Sequence, residues 1–160
     1  MPVPRAENMM QMLKTNTNVI KRQLDGLTNA DLLLQPDMRG NCANWVLGHL
    51  VDNRGSIIKN LTGEHYWSED KQEMYMFGSE PISNGDAPHL SMQDLLADFD
   101  ASGKVILDLL ADITDEQLDA AKGENSTINK SIHFLIWHES YHTGQFEYLR
   151  QLTGVNDKVI

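Results

Sequence analysis

Apolar side chains return every three or four positions in four stretches of the chain, and nowhere do they alternate over a run long enough for a strand. The first stripe, Met10, Leu13, Thr17, Ile20 and Leu24, runs from about Ala6 to Gly26. The second, from about Asn44 to Leu61, carries Val46, Leu50, Ile57 and Leu61, with Gly63 just beyond. The third opens at SMQD, where Ser91 can cap a helix whose third position is Asp94, and continues through Leu95, Phe99, Ile106 and Leu110. The fourth runs from about Thr127 to Leu152 and stops at Gly154. A period near 3.6 marks a helix with one buried face. The pattern therefore predicts an all-α protein, a four-helix bundle, with residues 1–160 as one domain.

Two of the connections resemble one another. LTNADL follows the first predicted helix and ITDEQL the third, each offering a Thr cap with an acid or amide three residues on. Each then leads to a histidine-bearing helix, which suggests two related helix pairs. The connection between the second and third helices is long. From Gly63 to Leu90 it holds Tyr66, Trp67, Tyr75 and Phe77, which a solvated loop has little reason to carry. Long loops of this kind are commonly lids or binding segments, so a lid or pocket wall is expected here.

Composition narrows the function classes. The net charge is −10, from 23 acidic and 13 basic residues, and the basic ones form no cluster. A nucleic-acid partner or an anionic membrane surface would need a basic face, so neither is expected. No apolar run approaches the ~20 residues of a membrane span, and MPVPRAENMM lacks the layout of a secretory signal. The single cysteine, Cys42, cannot form an internal disulfide, which suits a cytoplasmic location.

The chemistry concentrates in HESYH, residues 138–142. On a helix His138 and His142 lie about 40° apart, and Phe134, Leu135, Gln145, Leu149 and Leu152 fall within about 60° of His138. The pair is therefore expected to face the core, and its residues offer either a metal clamp or two hydrogen-bonded core imidazoles. His49, in NWVLGHLVDNR, is the best candidate for a third ligand. Asn53, Ser56 and Asn60 share its side of the helix, which makes that side either the lining of a wet cavity or a solvent face. His65 and His89 lie in or beside the long connection, and His133 is expected to point away. A fourth ligand from His65, His89 or Glu139 would close the site and favour a structural ion.

H-E-x-x-H also matches the zinc-peptidase signature, but the rest of the chain speaks against it. The extended pattern wants Gly and His where Gln145 and Tyr148 stand, and the eighteen residues after His142 are expected to hold no separate later helix to supply a glutamate ligand, Glu147 being read on the same helix. A di-iron carboxylate bundle is equally disfavoured, because a second Glu-x-x-His motif is missing.

Taken together, LTNADLLLQP leading to NWVLGHL, FG at Phe77–Gly78, and the late WHESYHTGQ resemble the DinB/YfiT-like family of metalloenzymes. Trp45, His49 and Leu50, then His138, His142, Gly144 and Gln145, carry the likeness. The resemblance implies a bundle with an unusual connection order and frequent homodimers. It also implies a Zn²⁺ or Ni²⁺ site, or one for another divalent metal, with His49, His138 and His142 as ligands. Some members of the family transfer or isomerise small molecules with low-molecular-weight thiols such as bacillithiol, mycothiol or glutathione. A metal-dependent, thiol-using S-transferase acting on small electrophiles is therefore the leading expectation. A metal-dependent hydrolase and a non-catalytic metal- or ligand-binding bundle are the alternatives. No catalytic residue is assigned beyond the ligands, and Arg54, Trp67, Lys71 and Tyr75 are the candidates for holding a thiol.

Overall fold

The computed structural model describes residues 2–37, 40–82 and 87–159. Among them are eight helical segments: α1 Pro4–Leu24, α2 Asn29–Leu32, α3 Ala43–Thr62, α4 Glu69–Tyr75, α5 Met92–Ala111, α6 Asp115–Asp119, α7 Ile128–Thr143 and α8 Gln145–Gln151. No strand occurs among the described residues, where the only bridge is the isolated pair Ala121 and Thr127. Among the described residues no helix is long and apolar enough to cross a membrane.

Local chemistry sets the boundaries of these helices. Pro4 stands in the first turn of α1, where a missing N–H costs nothing. Gly63 ends α3 at φ +90°, a left-handed cap that a glycine adopts without steric cost. The Ser91 and Thr127 hydroxyls accept the backbone N–H of Asp94 and Lys130 at the starts of α5 and α7. The look-alike connections hold two full capping boxes, Thr28 with Asp31 and Thr114 with Gln117. These open the short helices α2 and α6, not the histidine helices themselves. At Gly144 the backbone keeps right-handed helical angles (φ −65°, ψ −23°), so the expected fourth helix is α7 followed at once by α8.

The four long helices form a bundle. α3 packs against α5 and α7, and α1 against the same two, which leaves α1 and α3 diagonal to each other. Each half of the chain thus repeats long helix, short capped helix, long helix. The core falls into two apolar clusters. One gathers Ile20, Leu24, Trp45, Leu47, Phe99 and Phe146; the other gathers Met9, Leu13, Ile57, Ile106, Ile132 and Ile136.

A polar layer lies between the two clusters. Arg54 of α3, fully buried, donates to both carboxylate oxygens of Glu139 on α7 (Nε to Oε2, 2.8 Å; Nη2 to Oε1, 3.0 Å). Its other donors reach Thr17 Oγ1 on α1 and the Phe99 carbonyl on α5, each at 2.7 Å. Its guanidinium also stacks 3.4 Å from the Phe99 ring centroid. One side chain therefore binds all three other long helices. Gly103 leaves it room, since a Cβ there would stand 2.6 Å from Nη1.

The long connection is built differently from a loop. Trp67 and Tyr75 are buried in the first cluster and α4 lies between them. The Tyr75 hydroxyl donates to Asn44 Oδ1 (3.0 Å) and accepts the Leu90 N–H (2.7 Å). Gly48 makes this packing possible, because any Cβ there would collide with the Tyr75 ring. The segment forms a wall packed against α3. Phe77 projects from it, 89% exposed, and residues 83–86 of the connection lie outside the described residues.

Candidate metal centre

His49 sits two turns into α3, buried beneath Trp45, whose ring stacks on it at 4.7 Å and 15°. His138 and His142, one turn apart on α7, meet it edge-on, each with ring centroids 5.1 Å away. A ring nitrogen from each of the three histidines lies within 4.8 Å of the other two. This is the one His, Cys, Asp or Glu group of metal-holding geometry among the described residues.

The hydrogen bonds fix the tautomers. His49 Nδ1 lies 2.8 Å from the Tyr75 carbonyl, an obligate acceptor, so Nδ1 carries the hydrogen. His142 Nδ1 donates to Gln145 Oε1 at 2.7 Å. His138 Nδ1 donates to Asn53 Oδ1 at 3.2 Å, and the Asn53 amide is oriented by its own bond to the Leu135 carbonyl at 3.0 Å. Each Nε2 is left with a lone pair. His138 Nε2 and His142 Nε2 are 3.0 Å apart, a hydrogen-bond distance when one of them carries a proton and a convergent pair of lone-pair donors when neither does.

Burial keeps all three rings in the neutral form. Burial pushes the His49 pKa down from 6.5 to about 4, the Tyr75 carbonyl opposing and the two neighbouring histidines adding a little. Burial also lowers His138 and His142, with the charge of His142 adding to the effect on His138 and the Gln145 bond opposing it on His142. Three neutral imidazoles, each with an oxygen behind its second nitrogen, are the arrangement in which metal-binding histidines are held. The 3.0 Å separation is close to the edge, about 3.3 Å, of a tetrahedron with Zn–N bonds near 2.0 Å. The donor set fits a divalent ion.

The DinB superfamily model matches residues 12–146, a span that contains all three histidines and Gln145. The chain belongs to the DinB superfamily. No curated protein matches it. The crystal structure of a conserved protein from Enterococcus faecalis is similar, with 20% identity and a TM-score of 0.76 over 97% of this chain and 99% of that one. At that identity the likeness shows a shared DinB-like fold alone.

Several sequence-based expectations about the surroundings need correction. The core face of α7 is Ile132, Ile136, Glu139 and Thr143, not the stripe through His138. Phe134 is 58% and Leu152 41% exposed, and the two histidines are half-buried at the edge of the core. Glu139, expected either as a fourth ligand or as a polar neighbour of the site, is instead fully buried in its ion pair with Arg54. For the same reason Arg54 is not available to a thiol. Tyr75 is buried, and Trp67 Nε1 and Lys71 both donate to Asp98 (2.6 and 2.7 Å).

His65 packs on Gly55 and bonds the Asp52 carbonyl at 3.1 Å, and His89 bonds the Ala87 carbonyl at 2.8 Å. Neither they nor Glu139 join the three histidines. His133 is exposed, on the far side of α7. Asn53 and Asn60 bond α7 directly, and Ser56 and Asn60 also line a cleft beside it. The Tyr75 carbonyl had no sequence signal, since a backbone group leaves no residue type to read.

Proposed function

We propose that the chain is a divalent-metal-dependent enzyme, with His49, His138 and His142 as ligands, that joins a low-molecular-weight thiol to small electrophiles. The observation that carries the metal reading is the convergence of one ring nitrogen from each of the three histidines within 4.8 Å of the others, in imidazoles whose Nδ1 atoms already have oxygen partners. Zn²⁺ or Ni²⁺ suits such neutral nitrogen ligands. When bound, an ion of this kind supplies Lewis acidity and holds a thiol in its nucleophilic thiolate form.

The protein's own groups support a thiol from outside. Cys42 is fully buried and burial raises its pKa, so it is kept as an inert thiol. Asn53, Gln145 and the Tyr75 carbonyl hold the three rings in one orientation and one tautomer. Trp45 and the wall carrying Tyr75 shield His49 from water. The hydrolase alternative wants a carboxylate base beside the ligands, and the carboxylate next to them in sequence, Glu139, is held by Arg54. That disfavours carboxylate-assisted hydrolysis and leaves metal-bound water as the only hydrolytic nucleophile to compete with a thiol.

The test is metal content by mass spectrometry on tag-free protein, followed by thiol-consumption assays with an activated aryl halide. About one Zn²⁺ or Ni²⁺ per chain, lost in His49→Ala, is the expected result. Metal-dependent disappearance of the thiol should accompany it. Wild-type protein that no divalent ion will load overturns the metal reading. A loaded protein that consumes none of a panel of thiols overturns the transferase reading alone.

A further inference from the structure

With Arg54 and Lys71 held by their own carboxylates, a cation to receive an acidic substituent has to come from elsewhere. One pair stands further along the crease between α3 and α7. These helices run antiparallel, and their polar contacts follow in order: His49 against His138 and His142, Asn53 against His138 and Leu135, then Asn60 against Ser131 (Nδ2 to Oγ, 2.9 Å). Beside the last of these the crease opens into a cleft of about 560 Å³ lined by Ser56, Lys59, Asn60, Lys122, Ser131 and Leu135.

The cleft presents donors. Ser131 Oγ accepts from both Asn60 Nδ2 and, at 3.0 Å, Lys122 Nζ, which turns its own hydroxyl hydrogen outward. Among the described residues neither Lys59 nor Lys122 stands within ion-pair distance of a carboxylate. Partial burial and the nearby charge of Lys59 lower the pKa of Lys122. In a chain of net charge −10, two like charges turned into one cleft attract an anion. Lys59 also lies in the last turn of α3, where a cation complements the helix end. That accounts for one lysine and not for Lys122, which comes from a different segment. The acids Asp108 and Asp112 line a separate hollow that shares only Asn60 and Ile128 with this one.

We propose that this cleft is an anion subsite, binding the carboxylate or phosphate-ester tail of the molecule whose other end reaches the histidines. At 1.5 Å per residue, Ser56 and Asn60 stand about 10 and 16 Å along α3 from His49. That reach suits an extended, bifunctional molecule. The proposal rests on the metal-enzyme reading for the head group only; the anion subsite itself is independent of it.

Backbone amide spectra of the ¹⁵N-labelled, metal-free full chain, titrated at constant ionic strength with inorganic phosphate and separately with acetate, test it. Saturable shifts confined to residues 56–63 and 122–135 are expected. Charge-assisted contacts of this kind should make binding about ten-fold weaker in Lys59→Gln/Lys122→Gln. The double variant should keep wild-type circular dichroism, and His49→Ala should bind as wild type does. Tighter binding of phosphate assigns a phosphate ester, and tighter binding of acetate a carboxylate. Scattered or absent shifts, or equal binding by the double variant, overturn the subsite. Metal plays no part in this readout, so failure of the metal reading shows separately, in the metal content.

Discussion

Single residues at the histidine cluster are held in states that water would not choose. His49 is kept neutral by burial, with a pKa of about 4 against the usual 6.5. The unfolded chain therefore takes up this proton first as pH falls. The stability that neutral His49 confers is complete above about pH 6.5 and is lost progressively as pH falls toward 4. For His49 alone the loss over that window is on the order of 3 kcal/mol. His138 and His142, the titratable groups facing it, shift in the same direction and deepen the loss. Urea unfolding of the metal-free protein should show a midpoint that falls steadily from pH 7 to pH 5 and a flatter profile for His49→Gln. The three histidines were legible in the sequence from spacing and motif order. What orients them was legible only in part: Asn53 and Gln145 are side chains on the right faces, whereas the Tyr75 carbonyl became visible only when the wall was placed.

At the scale of elements, the Arg54–Glu139 pair matters most for bringing the ligands together. His49 and Arg54 share α3, and His138, Glu139 and His142 share α7, so one bidentate ion pair fixes the two ligand-bearing helices against each other. Removing one partner leaves the other charge buried and uncompensated. Arg54→Leu should cost about 3–5 kcal/mol of stability by chemical denaturation. Arg54→Met/Glu139→Leu, which removes both charges, should recover much of that. A double variant no more stable than Arg54→Leu would show that the contacts with Thr17 and Phe99, not the ion pair, hold this layer. The four long helices could be read from periodicity because each spans several turns. The short helices α2, α4 and α6 could not, since four to seven residues are too few to show a period. The core face of α7 was not legible, because a projection centred on His138 takes the histidines as the middle of the buried face, whereas Ile132, Ile136 and the ion-paired Glu139 form it.

At the scale of the whole molecule, the surface of α7 carries an aromatic strip beside the histidine cluster. Phe134, Trp137 and Tyr141 are each more than half exposed, and their rings lie 5.7 and 6.2 Å apart in succession. Exposed apolar strips of this kind mark a surface that something covers. We propose a second copy of the chain as the occupant, in line with the homodimers that the family resemblance implies. Each copy carries a net charge of −10, so long-range repulsion opposes the approach while apolar burial favours it. Raising the ionic strength screens the first and leaves the second intact. Light scattering after size exclusion should therefore give a dimer whose dissociation constant falls as sodium chloride rises from about 0.05 to 0.5 M. Trp137→Glu places a charge at the centre of the strip and should leave a monomer at every salt concentration. Its melting temperature should stay close to that of the wild-type monomer, because Trp137 is 52% exposed and contributes little to the core. A wild-type monomer at high salt, or a Trp137→Glu variant that still dimerises, would assign the strip to a different partner.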